Sequence, residues 1–242
     1  ADQEGFLAVF PNALARNPTK PSSFVWNPQL WNDGSDRFYP DQKVSDDTVF
    51  FAALLDELEA RYPVDKDRIY VSGFSNGASM SFLLGANLSA RIAAIAPVAG
   101  ACWITPSTMT RPVPLLYITG RNDPLNLIDG GVPKMLSGAK DPIRAKPKPP
   151  VMESILKWAK AIGCSTTPSS VTNDSGLRTE MYGPCRDGAE IVYLLIDDHG
   201  HTWAGGRSLL PERMVGKCSN RINTTDVIWN FFQKHPRTDM SP

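Results

Sequence analysis

Apolar residues along this chain fall in short blocks that switch between two periods, and the switches mark out elements. "GFLAVFP" at 5–11 is a continuous apolar run closed by proline and predicts a buried strand. "SDDTVFFAALLDELEARY" opens with Asp/Ser capping chemistry. It repeats apolar residues at Phe50, Leu54 and Leu58, beside Phe51 and Leu55, which predicts a helix with one buried face. "DRIYVSGF" predicts a second strand and "NGASMSFLLGANL" a second helix. "RIAAIAPVAG" and "PVPLLYITG" follow as strands, "VMESILKWAKAIG" as a helix and "TEMYGPC" as a short hairpin strand. "AEIVYLLID" is the last main strand and "TTDVIWNFFQKH" the closing helix. Strands alternating with helices predict an α/β fold, a largely parallel sheet covered on both faces.

Two stretches interrupt that rhythm. The segment from about residue 12 to about 45 is rich in Asn, Pro and Trp, and "RNDPLNLIDGGVPKMLSGAKDPIRAKPKPP" reads as a long exposed loop. Its Lys134, Lys140, Arg144, Lys146 and Lys148 are expected to be solvated. With 242 residues, 42% of them hydrophobic, the chain can bury a substantial core as a single domain. Its 25 basic and 25 acidic residues cancel, so charge gives no reason to propose nucleic acid or an anionic membrane as partner. No apolar window is long enough to span a bilayer, and "ADQEGFLAVF" lacks the order of a signal peptide.

Candidate chemistry centres on "GFSNGAS", where a strand reading gives way to a helix reading. G-x-S-x-G at that junction is the spacing of a nucleophile elbow, with Ser75 thrust above the sheet and Gly73 and Gly77 letting strand and helix approach. A serine hydroxyl needs a histidine to take its proton and a carboxylate to orient that histidine. Of His199, His201 and His235, the last suits a helix end, whereas the first two follow the last main strand. His201 is the expected base, with His199 as the alternative or as an ordinary surface-loop residue. Asp123, just past "LLYITGRN", is the expected acid, ahead of Asp129, Asp197 and Asp198. Asn76 opens the second helix, so its backbone N–H is the expected oxyanion donor. Trp26, Trp31, Phe38 and Tyr39 in the first long loop, with Trp103 and Trp203 after later strands, are candidates for stacking a substrate ring. Packing of loops on the sheet explains the same aromatics equally well. The reaction these residues suggest is ester hydrolysis through an acyl-enzyme, with no metal or organic cofactor. The rivals are a serine peptidase and a non-catalytic binding protein on the same fold.

Cys102, Cys164, Cys185 and Cys218 lack C-x-x-C spacing, which argues against zinc, and spacing leaves all three complete pairings open.

"YVSGFSNGASM", "APVAG", "ITGRNDPLN", "WAKAIGC" and "GHTWAGG" together resemble the esterases that include polyhydroxybutyrate depolymerase-like proteins and feruloyl and acetylxylan esterases. The resemblance implies an α/β-hydrolase fold and a triad of Ser75, Asp123 and His201. It implies feruloyl, acetyl or hydroxyalkanoate esters as substrates, and a secreted or periplasmic location. It also places cysteines at the end of "WAKAIGC" and of "TEMYGPC", so a Cys164–Cys185 disulfide is expected, with Cys102–Cys218 as a second pair. Arg121, Asn122 and Ala204 depart from the family pattern. Against that family the chain reads as N-terminally incomplete. The first three strands, and the loop carrying the second oxyanion donor, find no counterpart. "GFLAVF" is then expected either to pair beside "DRIYV" or to leave a gap that another chain fills.

Overall fold

The computed structural model describes residues 1–15, 17–23, 26–37, 46–134, 146–208 and 210–237. The chain divides into two compact units, residues 1–31 and residues 32–242.

In the first unit the strand expected at 5–11 does not form, and among the described residues the bridges are Ala15 to Gln29 and Ser23 to Asn27. A strand persists only where its backbone N–H and C=O rows find partners, and apolar composition alone supplies none. Phe6, Leu7, Val9 and Phe10 remain exposed. Asn27 holds the loop instead. Its side chain accepts from the Asn17 N–H and donates to the carbonyls of Asn17, Lys20 and Pro21.

The second unit carries the alternation. It begins with α1 (Asp47–Arg61), capped by Asp46, whose side chain accepts from the Thr48 N–H. The helix forms where the periodicity places it, but its apolar face is not buried: Phe50 is exposed, and Leu54 and Leu58 are half-buried. Asp47 is its one buried residue, accepting from the Asn32 N–H. Polar contacts help to fasten it, with Arg91 reaching the Ala52 carbonyl, Asp56 and Glu59.

After α1 come β1 (Tyr70–Phe74), α2 (Asn76–Asn87), β2 (Ala94–Val98), β3 (Leu115–Gly120) and α3 (Val151–Ile162). The hairpin β4 (Ser170–Asp174) and β5 (Leu177–Tyr182) leads to β6 (Ile191–Ile196), the short α4 (Glu212–Val215) and α5 (Thr224–Lys234). The six strands form one sheet in the order β1-β2-β3-β6-β5-β4, parallel from β1 to β6 and antiparallel across the hairpin. This is the expected α/β fold with a mostly parallel sheet. β4, fully exposed, carries no apolar pattern and was not foreseen.

β2 and β3 are buried at every residue, as central parallel strands must be. β1 lies at the sheet's edge and is only half-covered, with Ser72 and Phe74 exposed. α2 buries most of its length, with Phe82 edge-on to Tyr117 and to Trp158 of α3. α5 covers the sheet with Ile228, Phe231 and Phe232, the last stacked on Tyr70 at 4.6 Å.

Cys164, just past α3, and Cys185, just past β5, are joined by a disulfide. Cys102 and Cys218 are free, so the second pair does not exist. The Cys102 thiol is buried and directed at the Ile104 carbonyl, and Cys218 at the carbonyls of Trp203 and Gly206.

Candidate active site

The turn from β1 into α2 holds Ser75 at φ 56°, ψ −113°, a left-handed conformation that costs a non-glycine residue energy. Its N–H donates to the Val98 carbonyl of β2, which fixes the turn against the sheet. A Cβ at Gly73 would lie 2.2 Å from the Gly77 carbonyl oxygen, so only glycine allows strand and helix to cross there. Gly77 differs from the sequence reading. A Cβ on it would meet nothing within 4 Å, and the crossing needs its backbone, not its lack of a side chain.

His201 Nε2 lies 2.9 Å from Ser75 Oγ, and its Nδ1 lies 2.8 Å from Asp123 Oδ2. Asp123 sits just past β3, and His201 on the loop past β6, the adjacent parallel strand. Both are buried. The other carboxylate oxygen, Oδ1, accepts the N–H groups of Leu125 and Asn126 at 2.7 Å each. Those bonds leave Oδ2 aimed at the imidazole.

The remaining candidates fall elsewhere. His199 is not a surface residue but is buried. The Ser219 N–H donates to its Nδ1, so the proton resides on Nε2, which donates to the Thr202 carbonyl. Burial holds its pKa below the usual histidine value. His235 closes α5, bonding the Phe231 carbonyl and Glu190. Asp197 pairs with Arg121. Asp198 meets Lys217, Arg221 and Ser219, whose hydrogen bonds hold its carboxyl well below the usual range. Asp129 is exposed.

Of the aromatic candidates, Trp203 is half-buried, bonds Thr225 Oγ1, and meets Phe74 edge-on at 6.5 Å. Phe74 in turn lies 4.8 Å from the His201 ring. It escaped the sequence reading although it fills the variable position before the serine. Trp103 lies under the Arg37 guanidinium at 4.3 Å. Trp26, 88% exposed, and Trp31 belong to the first unit. Phe38 and Tyr39 lie outside the described residues, as do Lys140 and Arg144.

A polar cluster flanks the serine that no motif announced. Asn76 Nδ2 donates to buried Asp33 Oδ2 at 2.9 Å, and Arg37 lies 3.8 Å from the same oxygen. Lys134 and Lys146 are exposed as expected, but the solvated reading fails for Lys148, the last lysine of the basic loop. Lys146 donates to the Ser35 carbonyl at 2.7 Å. Lys148 is only 9% exposed, and its backbone pairs with Gly131 on the loop that follows Asp123. Burial pushes its ammonium down to about 8, abetted by Arg37 and opposed by Asp123 and Asp33. Among the described residues, no group of three or more His, Cys, Asp or Glu side chains is arranged to hold a metal.

No family model matches the chain. Over 189 residues it is 31% identical to feruloyl esterase B of Piromyces equi, an alignment covering 74% of this chain and 32% of that protein. Over 204 residues it is 26% identical to the bifunctional acetylxylan esterase/xylanase XynS20E of Neocallimastix patriciarum, covering 84% of this chain and 25% of that one. An acetyl xylan esterase from Aspergillus awamori superposes with a TM-score of 0.46 at 13% identity, covering 71% of this chain and 68% of that one. The chain is homologous to proteins named as feruloyl and acetylxylan esterases, as the motifs implied. It spans about a third or less of those two curated relatives.

Proposed function

We propose that this chain hydrolyses carboxylic esters through an acyl-enzyme formed on Ser75. The observation that carries the reading is the continuous relay from Ser75 Oγ through His201 to Asp123, at 2.9 and 2.8 Å, behind a strained serine. Ser75 Oγ attacks the ester carbonyl as His201 Nε2 takes its proton. Asp123 holds the Nδ1–H tautomer and stabilises the imidazolium. The carbonyl oxygen, now carrying charge, faces the N–H of Asn76 at the start of α2, where the helix dipole favours an anion. Collapse of that adduct expels the alcohol, which takes its proton from His201. Water activated by the same imidazole then releases the acid and frees Ser75.

The names of the homologues favour acyl esters on plant polysaccharide, feruloyl or acetyl, as the substrate class. The Phe74 and Trp203 rings beside His201 suit an aromatic acyl group. The Cys164–Cys185 disulfide suits an oxidising compartment, so a secreted or periplasmic location fits. Among the described residues no helix is long and apolar enough to cross a membrane.

The test is labelling with a fluorophosphonate, followed by turnover of p-nitrophenyl acetate. Wild type should be labelled at Ser75, and Ser75→Ala should lose turnover by on the order of 10⁶-fold while staying folded. A folded Ser75→Ala protein keeping a few per cent of wild-type turnover would remove Ser75 from the reaction.

A further inference from the structure

Lys148 is only 9% exposed, and among the described residues its cation has no fixed counter-ion. Among the described residues its ammonium makes no hydrogen bond and no ion pair within 4.0 Å. The carboxylates in its electrostatic reach are Asp123 and Asp33. Asp123 is committed to His201 and two backbone N–H groups, and Asp33 to Asn76 and Arg37. The neighbouring charges add to the surplus. Arg37 lies over one face of Trp103, and the Lys146 ammonium is 5.7 Å from the same ring. The Trp103 indole N–H is buried without an acceptor. Burying a lone charge, or a lone donor, costs free energy that packing does not return. A carboxylate entering beside the serine would supply the acceptor that both groups lack.

Resting on the esterase reading, we propose that Lys148, Arg37 and the Trp103 N–H form an anion subsite next to Ser75, which selects esters bearing a carboxylate. Its place supports that role. Lys148 sits across the Gly131 bridge from the loop of Asp123, and Asp33 ties Arg37 to the residue after the nucleophile. An ester held there presents its carbonyl to Ser75 while its carboxylate meets the cations. The carboxylate can reside on the acyl side, as in a dicarboxylic half-ester, or on the alcohol side, as in an acylated hydroxy acid.

Two substrate pairs distinguish those sources, each pair differing by one charge and one methyl group, with the rate taken per shared ester bond. Monomethyl succinate is compared with dimethyl succinate, and 3-acetoxybutyrate with its methyl ester. Wild type should favour the anionic member of at least one pair by ten-fold or more in kcat/KM. Lys148→Met should lower that ratio at least ten-fold, and Lys148→Arg should keep most of it. Equal rates within both pairs in wild type, or equal losses on both members in Lys148→Met, overturn the proposal. Binding without turnover separates it from the esterase reading. In Ser75→Ala, calorimetry should show monomethyl succinate binding at least ten-fold tighter than dimethyl succinate, and Lys148→Met in that background should abolish the difference. If fluorophosphonate fails to label Ser75, the esterase reading falls while this binding result still decides the subsite. No difference between the two esters overturns the subsite, whatever the labelling gives.

Discussion

Asp33 and Asn76, 43 positions apart, are joined by a 2.9 Å hydrogen bond from the Asn76 amide to the Asp33 carboxylate, which is buried. The bond pins the side chain of the first residue of α2, and the Ser75 N–H bond to the Val98 carbonyl holds the residue before it, so two contacts hold the turn at Ser75. A donor meant for a developing oxyanion is effective only while its position is held. Asp33→Ala should therefore lower kcat on p-nitrophenyl acetate by about ten- to a hundred-fold, the scale of a small misplacement at a reacting centre. KM should change less than kcat, and circular dichroism should show an intact fold. A variant with wild-type kcat would show that the helix start holds itself in place.

The elbow glycines are not equivalent. Gly73→Ala would drive a Cβ to 2.2 Å from the Gly77 carbonyl, against backbone that cannot yield without moving α2. It should abolish soluble expression or cost several kcal/mol, about the upper range of overpacked substitutions. Gly77→Ala meets nothing and lies inside a helix, where alanine is favoured by up to about 1 kcal/mol. Its melting temperature should match or exceed wild type. A destabilised Gly77→Ala protein would contradict the open space beside α2.

The proximity of the three proposed catalytic residues could be read from the chain. Ser75, Asp123 and His201 lie close in space because each follows a parallel strand, and the order of strands is written in the alternation of blocks. What stayed hidden depends on partners far along the chain. "KPKPP" carries no sign that Lys148 is buried or that its backbone bridges to Gly131. The apolar run 5–11 has the composition of a strand but no ladder, and Phe50 the spacing of a buried face but 42% of its surface exposed. Composition sets what a segment is able to bury, and the availability of a partner surface decides whether it does.

The disulfide closes a separation of 21 residues between the end of α3 and the end of β5. In the chain-entropy model a loop of that size contributes roughly 3 kcal/mol. Replacing both Cys164 and Cys185 by serine should lower the denaturation midpoint accordingly. Alkylation of the native, non-reduced protein should label Cys218 and spare Cys102, whose thiol burial pushes up to about 12. Labelling at Cys164 before reduction would disprove the bridge.

His199 gives stability an acid limit. Its Nδ1 accepts from the Ser219 N–H, so protonating the ring breaks that bond inside a buried site. Its folded pKa is depressed, first by burial, while an unfolded chain titrates near the ordinary value of 6.5. Below 6.5 the unfolded state therefore binds more protons, and stability falls as pH drops through the folded pKa. His199→Gln should flatten the slope of unfolding free energy below pH 6.5, at the cost of a lower plateau above it. An unchanged slope in the variant would mean that His199 does not set the acid limit.

Lys148 acts at the other end of the scale. The groups in its electrostatic reach are Arg37, which lowers its proton affinity, and Asp123 and Asp33, which raise it, with burial outweighing both carboxylates. Its folded pKa of about 8 lies below the ordinary lysine value of 10.5. Between those values the unfolded state holds the proton and the folded state releases it, so this residue makes stability rise with pH across that window. Below pH 8 the ammonium is charged in both states and its buried charge is a standing penalty, on the order of 3 kcal/mol from the size of the shift. Lys148→Met keeps the bulk and removes the charge. Its unfolding free energy at pH 7 should therefore exceed that of wild type, and the gap should close as pH is raised from 8 to 10.5. Chemical denaturation of both proteins at pH 7, 9 and 10.5 measures this directly. A Lys148→Met protein less stable than wild type at pH 7 would mean that the ammonium already has a partner that stabilises the fold.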